Sequence, residues 1–139
     1  MIRAATHADI PRLLEMGGKF SEKARLIESV GYDAEDMAST FGQMVEAEDA
    51  CLFIGDAGAI GGIRSQHVFN YAHWTAQELF WWSEGREGLR LLTAFEEWAA
   101  EKCGTVRMVT LEAVNPDRMG RLYEKRGYRA LEHGYIKAL

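Results

Sequence analysis

The chain has 139 residues, 47% apolar and 27% charged, which suits a single domain with a buried core and excludes a disordered chain. Sixteen basic residues against twenty-one acidic ones leave a net charge of −5, which argues against a surface built to grip nucleic acid. No apolar run approaches the roughly 18 residues of a membrane span, and the opening MIRAATHADI has no signal-peptide pattern.

Met1 to Ala5 is short and apolar and reads as a first strand. Thr6 and Asp9 form a capping box for a helix with Ile10, Leu13, Leu14 and Met16 on its apolar face. Gly17-Gly18 is the expected end of that helix, and Phe20 to Val30 is ambiguous. Asp33 caps a second helix carrying Met37, Phe41, Met44 and Val45 at helical spacing. Ala50–Gly55 and Ala59–Arg64 flank the turn Asp56-Ala57-Gly58 and predict a hairpin. Gln66 to Thr75 reads as an aromatic-rich loop. Gln77–Ser83 is the strongest strand signal, apolar on both sides of the pleat, so it should be central and covered on both faces.

A polar turn at Glu84–Gly88 leads into a long helix over Leu89–Lys102, with Leu91, Leu92, Phe95, Trp98 and Ala99 as its buried stripe. Gly104 stops it, and Val106–Val114 reads as a strand. Asn115-Pro116-Asp117 starts a last helix through Arg126, Gly127 ends it, and Tyr128–Ile136 reads as a final strand or pair of strands. The order predicts a mixed α/β (α+β) domain with a partly antiparallel sheet. Neither Pro- nor Gly-rich linkers nor repeats divide it. Cys51 and Cys103 have no CxxC partner, so the expectation is two free thiols in a cytoplasmic protein, neither in the setting of a nucleophile.

Two places carry candidate chemistry. A strand–glycine turn–helix at Ser83–Gly88 suits an anion, because helix N-termini present free N–H groups; it is also an ordinary connection. Residues 118–129 hold Arg118, Arg121, Lys125, Arg126 and Arg129 against Glu124, which is either a phosphate-facing patch or a solvated helix face. Among possible bases, Glu78 opens the strong strand beside Phe80 and Trp82, where burial would raise its pKa. Glu112, His67 and His73 are the other candidates. The histidines fit no metal spacing, so no metal is expected. Taken alone, Tyr123 is a core residue on an apolar helix face.

In combination, Asn115, then Leu122-Tyr123 near a helix end, then Gly127-Tyr128, resembles the GNAT superfamily of N-acetyltransferases, and the element order from Met1 to Leu139 is similar to theirs. The ending Glu132-His133-Gly134-Tyr135-Ile136-Lys137 looks like that of small bacterial or phage-associated members. The resemblance implies a central sheet flanked by helices on both faces and acetyl-CoA bound between the fourth and fifth strands. It implies that Trp81 and Trp82 pair with the pantetheine arm. Ser83, Gly85, Arg86, Glu87, Gly88, Leu89 and Arg90 would surround the pyrophosphate. It implies that Asn115 would contact the cofactor arm and that Tyr123 would protonate the departing thiolate; the basic patch adds Arg121 as a cofactor contact, and the apolar setting of Glu78 makes it the candidate base. The turn departs from the family's spacing by a gap, and Glu84 and Glu87 have the wrong sign for an anion; Arg86 and Arg90 would offset them.

The acceptor implied is a primary amine of a small molecule or protein, attacked directly in a ternary complex. A non-catalytic member of the fold that binds CoA or a protein is the alternative. Neither nucleic acid nor membrane is an expected partner. The Trp and Phe residues between 69 and 82 are candidates for a homodimer surface, and Phe69, Tyr71 and Trp74 for an acceptor pocket.

Overall fold

The computed structural model describes residues 1–139. One sheet runs through it in the order β1 (Arg3–Ala4), β2 (Ala50–Ile54), β3 (Gly58–His67), β4 (Asn70–Ser83) and β5 (Thr105–Arg107). The first four are antiparallel neighbours, and β5 joins β4 in parallel. That change of direction needs a crossover, supplied by α3 (Gly88–Ala100). The other helices are α1 (Ile10–Lys23), α2 (Ala34–Glu46) and α4 (Pro116–Lys125). No helix is long and apolar enough to cross a membrane.

The sheet is covered on both faces. Leu13 and Met16 of α1 and Phe41 and Met44 of α2 pack with Leu52, Ile54 and Phe80 on one side. Leu91, Phe95 and Ala99 of α3 pack with Cys51, Ile60 and Ala76 on the other. Gly61 and Gly62 let these layers come close: a Cβ on Gly62 would overlap the Phe95 ring, and one on Gly61 would lie 2.7 Å from Phe80 Cε1. The two contacts also assign faces, since Gly62 looks at α3 and Gly61 at α2.

The β3–β4 register slips once between these glycines. Gly61 pairs with Phe80 and Gly62 with Glu78, so Leu79 is an extra residue on β4, a β-bulge. Glu78 therefore shares the α3 face with Gly62, and Phe80 shares the α2 face with Gly61. Pairing with β5 covers only Thr75, Ala76 and Gln77. From Glu78 to Ser83, one edge of β4 has no strand beside it.

Several sequence expectations give way here. The first helix runs through Gly17-Gly18 to Lys23, because α1 is held by packing on α2, with buried Gly17 against the Phe41 ring, 3.6 Å from where a Cβ would be. Gln66–Thr75 is not a loop: the β3–β4 ladder continues to His67 opposite Asn70, leaving only Val68-Phe69 as the turn. The strand expected over Val106–Val114 shrinks to Thr105–Arg107, since the bulge bends β4 away from it. Tyr128–Ile136 forms no strand. Its first residue is pinned to α3 and α4, and Glu132 meets β5 only through an ion pair with Arg107. The hairpin, the Asp33 cap (Asp36 N–H to Oδ1, 3.0 Å) and the Thr6–Asp9 contact (Thr6 N–H to Oδ2, 2.8 Å) form as read.

Gly62→Ala should lower the unfolding free energy by about 1–3 kcal/mol, because its Cβ meets Phe95 and the Gln77 carbonyl in a packed interior. Gly18→Ala, within α1 and with open space at its Cβ, should raise it by roughly 0.5–1 kcal/mol. Urea titration of both variants checks the pair.

Candidate active site

The turn from β4 into α3 is held from two sides. Glu87 is tied to the β2–β3 turn. Its carboxylate accepts the Asp56 N–H at 3.1 Å and the Ala57 N–H at 2.6 Å in the β2–β3 turn. Glu84 pairs with Lys19 of α1 at 3.1 Å, and its own N–H bonds the Ala57 carbonyl at 2.8 Å. Both acids that opposed an anion in the sequence are thus engaged with neighbours. Ser83 Oγ donates to the Gly85 carbonyl at 3.2 Å.

The main-chain N–H groups of Gly85, Arg86, Glu87, Gly88, Leu89 and Arg90 have no protein acceptor. They lie at the N-terminus of α3, whose dipole adds positive potential. Arg86 and Arg90 are exposed, form no ion pair, and line a cavity with Asp56, Ala57, Gly85 and Glu87. Free N–H groups, a helix N-terminus and two unpaired guanidinium groups are chemistry that favours an anion, with Asp56 and Glu87 of opposite sign beside them.

Further along β4, three sequence candidates come together on the α3 face. Tyr123 of α4 is buried at 7% exposure, and its ring centroid lies 6.4 Å from that of Trp81. Its hydroxyl donates to the Val109 carbonyl at 3.0 Å. Burial, and then the charge of nearby Glu78, push its pKa above the ordinary tyrosine value. Glu78 is 6% exposed, and its Oε2 has no hydrogen-bond partner. Burial pushes its carboxyl up to about 8. The Trp81 and Trp82 indole N–H groups are also buried without acceptors. Trp81 lies beneath the start of α3, its ring 3.6 Å from where a Gly88 Cβ would be; Trp82 packs on the opposite face.

Asn115 caps α4 from a left-handed conformation (φ 40°), its Oδ1 accepting the Arg118 N–H at 3.3 Å. Arg121 is exposed and unpaired, as are Arg118, Lys125 and Arg129, whereas Arg126 is committed to Glu96 on α3. Leu89 is exposed at the start of α3. Other candidates fall elsewhere. Glu112 is exposed with no partner. On the hairpin arm, His73 bonds Thr105 Oγ1 at 2.9 Å, and His67 Nδ1 accepts the Phe69 N–H at 3.1 Å. Phe69 and Tyr71 are exposed on that arm, and Lys102 sits 3.7 Å over the Trp74 ring. No three metal-ligating side chains gather. Cys51 is buried and pushed up to about 12 by that burial, so it stays a thiol at neutral pH.

Three participants have no motif in the sequence. Lys19 and the Val109 carbonyl come from distant segments, and Glu96 accepts the Tyr128 hydroxyl at 2.9 Å across 32 residues. Only the GNAT-like pattern itself flagged Tyr128.

No family model and no curated protein matches the chain. Solved structures do. An acetyltransferase from Trypanosoma brucei superposes with a TM-score of 0.70 at 16% identity, over 100% of this chain and 99% of that one. A ribosomal-protein-alanine N-acetyltransferase from Brucella melitensis biovar Abortus gives 0.67 at 12% identity, over 100% and 99%. A transcriptional regulator from Bacillus halodurans gives 0.74 at 19% identity, also over 100% and 99%. The chain has the GNAT acetyltransferase fold. At these identities the likeness is one of fold, and the residues above carry the chemistry.

A buried carboxyl with a raised pKa makes stability depend on pH. The unfolded Glu78 titrates near 4.5 and the folded one near 8, so the folded state binds its proton more tightly. Glu78 should therefore favour folding fully below the lower value, with its contribution lost as pH rises towards the upper one, at up to about 1.4 kcal/mol per pH unit. Urea unfolding from pH 5 to 8.5 should show Glu78→Gln gaining on the wild type with rising pH; parallel curves would show that Glu78 ionises normally.

Proposed function

We propose that this protein is an acetyl-CoA-dependent N-acetyltransferase acting on a primary amine of a small molecule or protein. The observation that carries the reading is the open edge of β4 from Glu78 to Ser83, which runs directly into the free N–H groups of the turn at Gly85–Arg90. An extended amide-bearing arm ending in a pyrophosphate has the matching shape and polarity. The Trp81 and Trp82 backbone would bond the amides of the arm. Gly85, Gly88 and their neighbours would take the pyrophosphate on main-chain N–H groups, with Ser83 at the edge of the turn, Glu87 bracing it, and Leu89, Arg86 and Arg90 flanking it. Asn115 and Arg121 would meet the arm and its charged end from α4.

Acetyl-CoA supplies the activated acetyl group. The amine nitrogen attacks the thioester carbonyl, the C–N bond forms and the C–S bond breaks. Glu78 removes the proton the amine loses, and Tyr123 returns one to the thiolate. Glu78 is suited to this by its unpartnered Oε2 and by a carboxyl that burial raises to about 8, which makes it a stronger base than an exposed glutamate. Tyr123 holds its proton for the Val109 carbonyl in the resting site, so donation needs the phenol to turn from that oxygen to the sulfur. Neither step needs a covalent enzyme intermediate, and holding both reactants in one slot supplies most of the rate. Two free cysteines support a cytoplasmic setting. A second reading, a non-catalytic CoA or protein binder, is favoured by the committed Tyr123 proton and by the fold's occurrence in a protein named as a transcriptional regulator.

Acetyl-CoA at about 100 times its dissociation constant should stabilise the protein by about 2.7 kcal/mol, read as a rise in melting temperature. In amine screens, kcat/KM should rise with pH to a plateau above about 8. Glu78→Gln should lose about 100-fold or more in kcat and that inflection, and Tyr123→Phe about 10-fold or more. Stabilisation without turnover of any amine would select the binding reading. No stabilisation would exclude both the enzyme reading and the CoA-binding one.

A further inference from the structure

Glu96 lies in the middle of α3, outside every sequence motif, yet it joins three parts of the site. Its Oε1 accepts the Tyr128 hydroxyl at 2.9 Å. The same carboxylate pairs with Arg126, through Nε at 3.3 Å and also through Nη2. Arg126 reaches Thr93 Oγ1 on the same helix at 3.2 Å. The last turn of α4 is therefore tied to α3 by a guanidinium and a phenol on one carboxylate.

Tyr128 is laid back on Tyr123. Gly127, at φ +93°, lets the chain reverse immediately after α4, a conformation open to glycine and costly for other residues. The Tyr128 N–H then bonds the Tyr123 carbonyl at 3.0 Å, and the two ring centroids lie 5.5 Å apart, tilted by 50°. Trp81 of β4 lies on Tyr123 at 6.4 Å, and the Val109 carbonyl holds its hydroxyl. Of these three contacts of Tyr123, that with Trp81 comes from β4 and that with Val109 from the segment after β5. The third, Tyr128, gets its orientation from Glu96.

We propose that Glu96 is a positioning residue: by holding the Tyr128 hydroxyl, it sets the plane of the Tyr123 ring and so the direction in which the Tyr123 phenol points. Glu96 itself touches no substrate. The kinetic consequence rests on the acetyl-transfer reading above, and the geometric one does not. The bond to Arg126 fastens α4 as a whole, whereas the bond to Tyr128 gives the ring its angle. Removing only the second separates orientation from fastening.

Tyr128→Phe makes that cut, keeping the ring and the Glu96–Arg126 pair; Glu96→Leu removes both. With acetyl-CoA and an accepted amine, each variant should lose about 10-fold in kcat, counted per molecule that binds CoA, with the KM for acetyl-CoA within about three-fold of wild type. The double variant should be no slower than Glu96→Leu alone. A purely structural role would lower the melting temperature and the binding-competent fraction while leaving kcat per competent molecule within about two-fold, and that outcome overturns the proposal. Losses that multiply in the double variant also overturn it.

A readout free of turnover accompanies these. The Tyr123 ring resonances, assigned by their disappearance in Tyr123→Phe, should shift in Tyr128→Phe and in Glu96→Leu. If they do not move, the proposal fails whatever the kinetics. If they shift while the wild-type protein neither binds nor turns over acetyl-CoA, the clamp stands and the acetyl-transfer reading falls.

Discussion

Leu79 has no partner on β3, because Gly61 and Gly62 pair with the residues on either side of it. An extra residue in one strand of a ladder bends that strand and shifts its side-chain alternation by one. Both effects shape the site. The bend takes β4 away from β5 after Gln77, which leaves the strand's edge without a partner up to Ser83. The shift puts Glu78 on the α3 face, with Trp81 and Tyr123, and sends Phe80 to the α2 face, where it completes the other core layer. A regular ladder here would put Glu78 and Phe80 on the same face and would let β5 continue alongside. The glycines opposite the bulge belong to the same device, since a Cβ on either would collide with an aromatic ring on the face it looks at.

The helix that follows depends on two glutamates. Glu87, at the start of α3, accepts two N–H groups of the β2–β3 turn. Glu96, farther along, takes Arg126 and Tyr128 from the end of α4. The first fixes the anion turn against the sheet, and the second fixes α4 against α3. The Glu87 carboxylate is occupied by two N–H groups of the neighbouring turn, which offsets part of its charge beside the free N–H groups at the start of α3. Lys19 does the same for Glu84 from the opposite layer. Net charge within a segment is thus a poor guide to its potential, because the partners that cancel each charge come from other segments.

This is also where the sequence was legible and where it was not. The starts of the helices and the β2–β3 hairpin rest on local rules, caps and periodicity, and they form as read. What failed was decided by pairing at a distance. Gly17 stays helical because Phe41 of a different helix packs on it. The aromatic stretch after Gln66 is strand because β3 is long enough to pair with it. Residues beyond Arg107 lose strand structure because of a bulge in another strand, which leaves no trace in their own sequence. At the candidate site, the glycine turn stood out as a strand–turn–helix connection although it departs from the family's spacing, Tyr123 through the family-like pattern, and Glu78 through its apolar neighbours. Glu96, Lys19 and the Val109 carbonyl were not, since their roles exist only after α1, α3 and the segment following β5 are brought together.

The burial that makes Glu78 and Tyr123 suitable also sets their resting state. Both sit in the same dry layer. Burial alone raises the Glu78 carboxyl, and for Tyr123 it is the larger of two effects, the charge of Glu78 being the other. Near neutral pH, the carboxyl and the phenol therefore both hold protons. On the acetyl-transfer reading proposed above, a site that takes one proton from an amine and gives another to a thiolate begins, in this chain, with both on the protein. The Tyr123 proton is ready for delivery once the phenol leaves Val109. The Glu78 proton has to leave first, and the nearest way to favour its loss is a positive charge brought close to Oε2. An amine arriving as its ammonium form supplies that charge, so binding of the cationic acceptor and ionisation of Glu78 promote each other; the ammonium then loses its extra proton to water, and Glu78 takes the second proton as the neutral amine attacks.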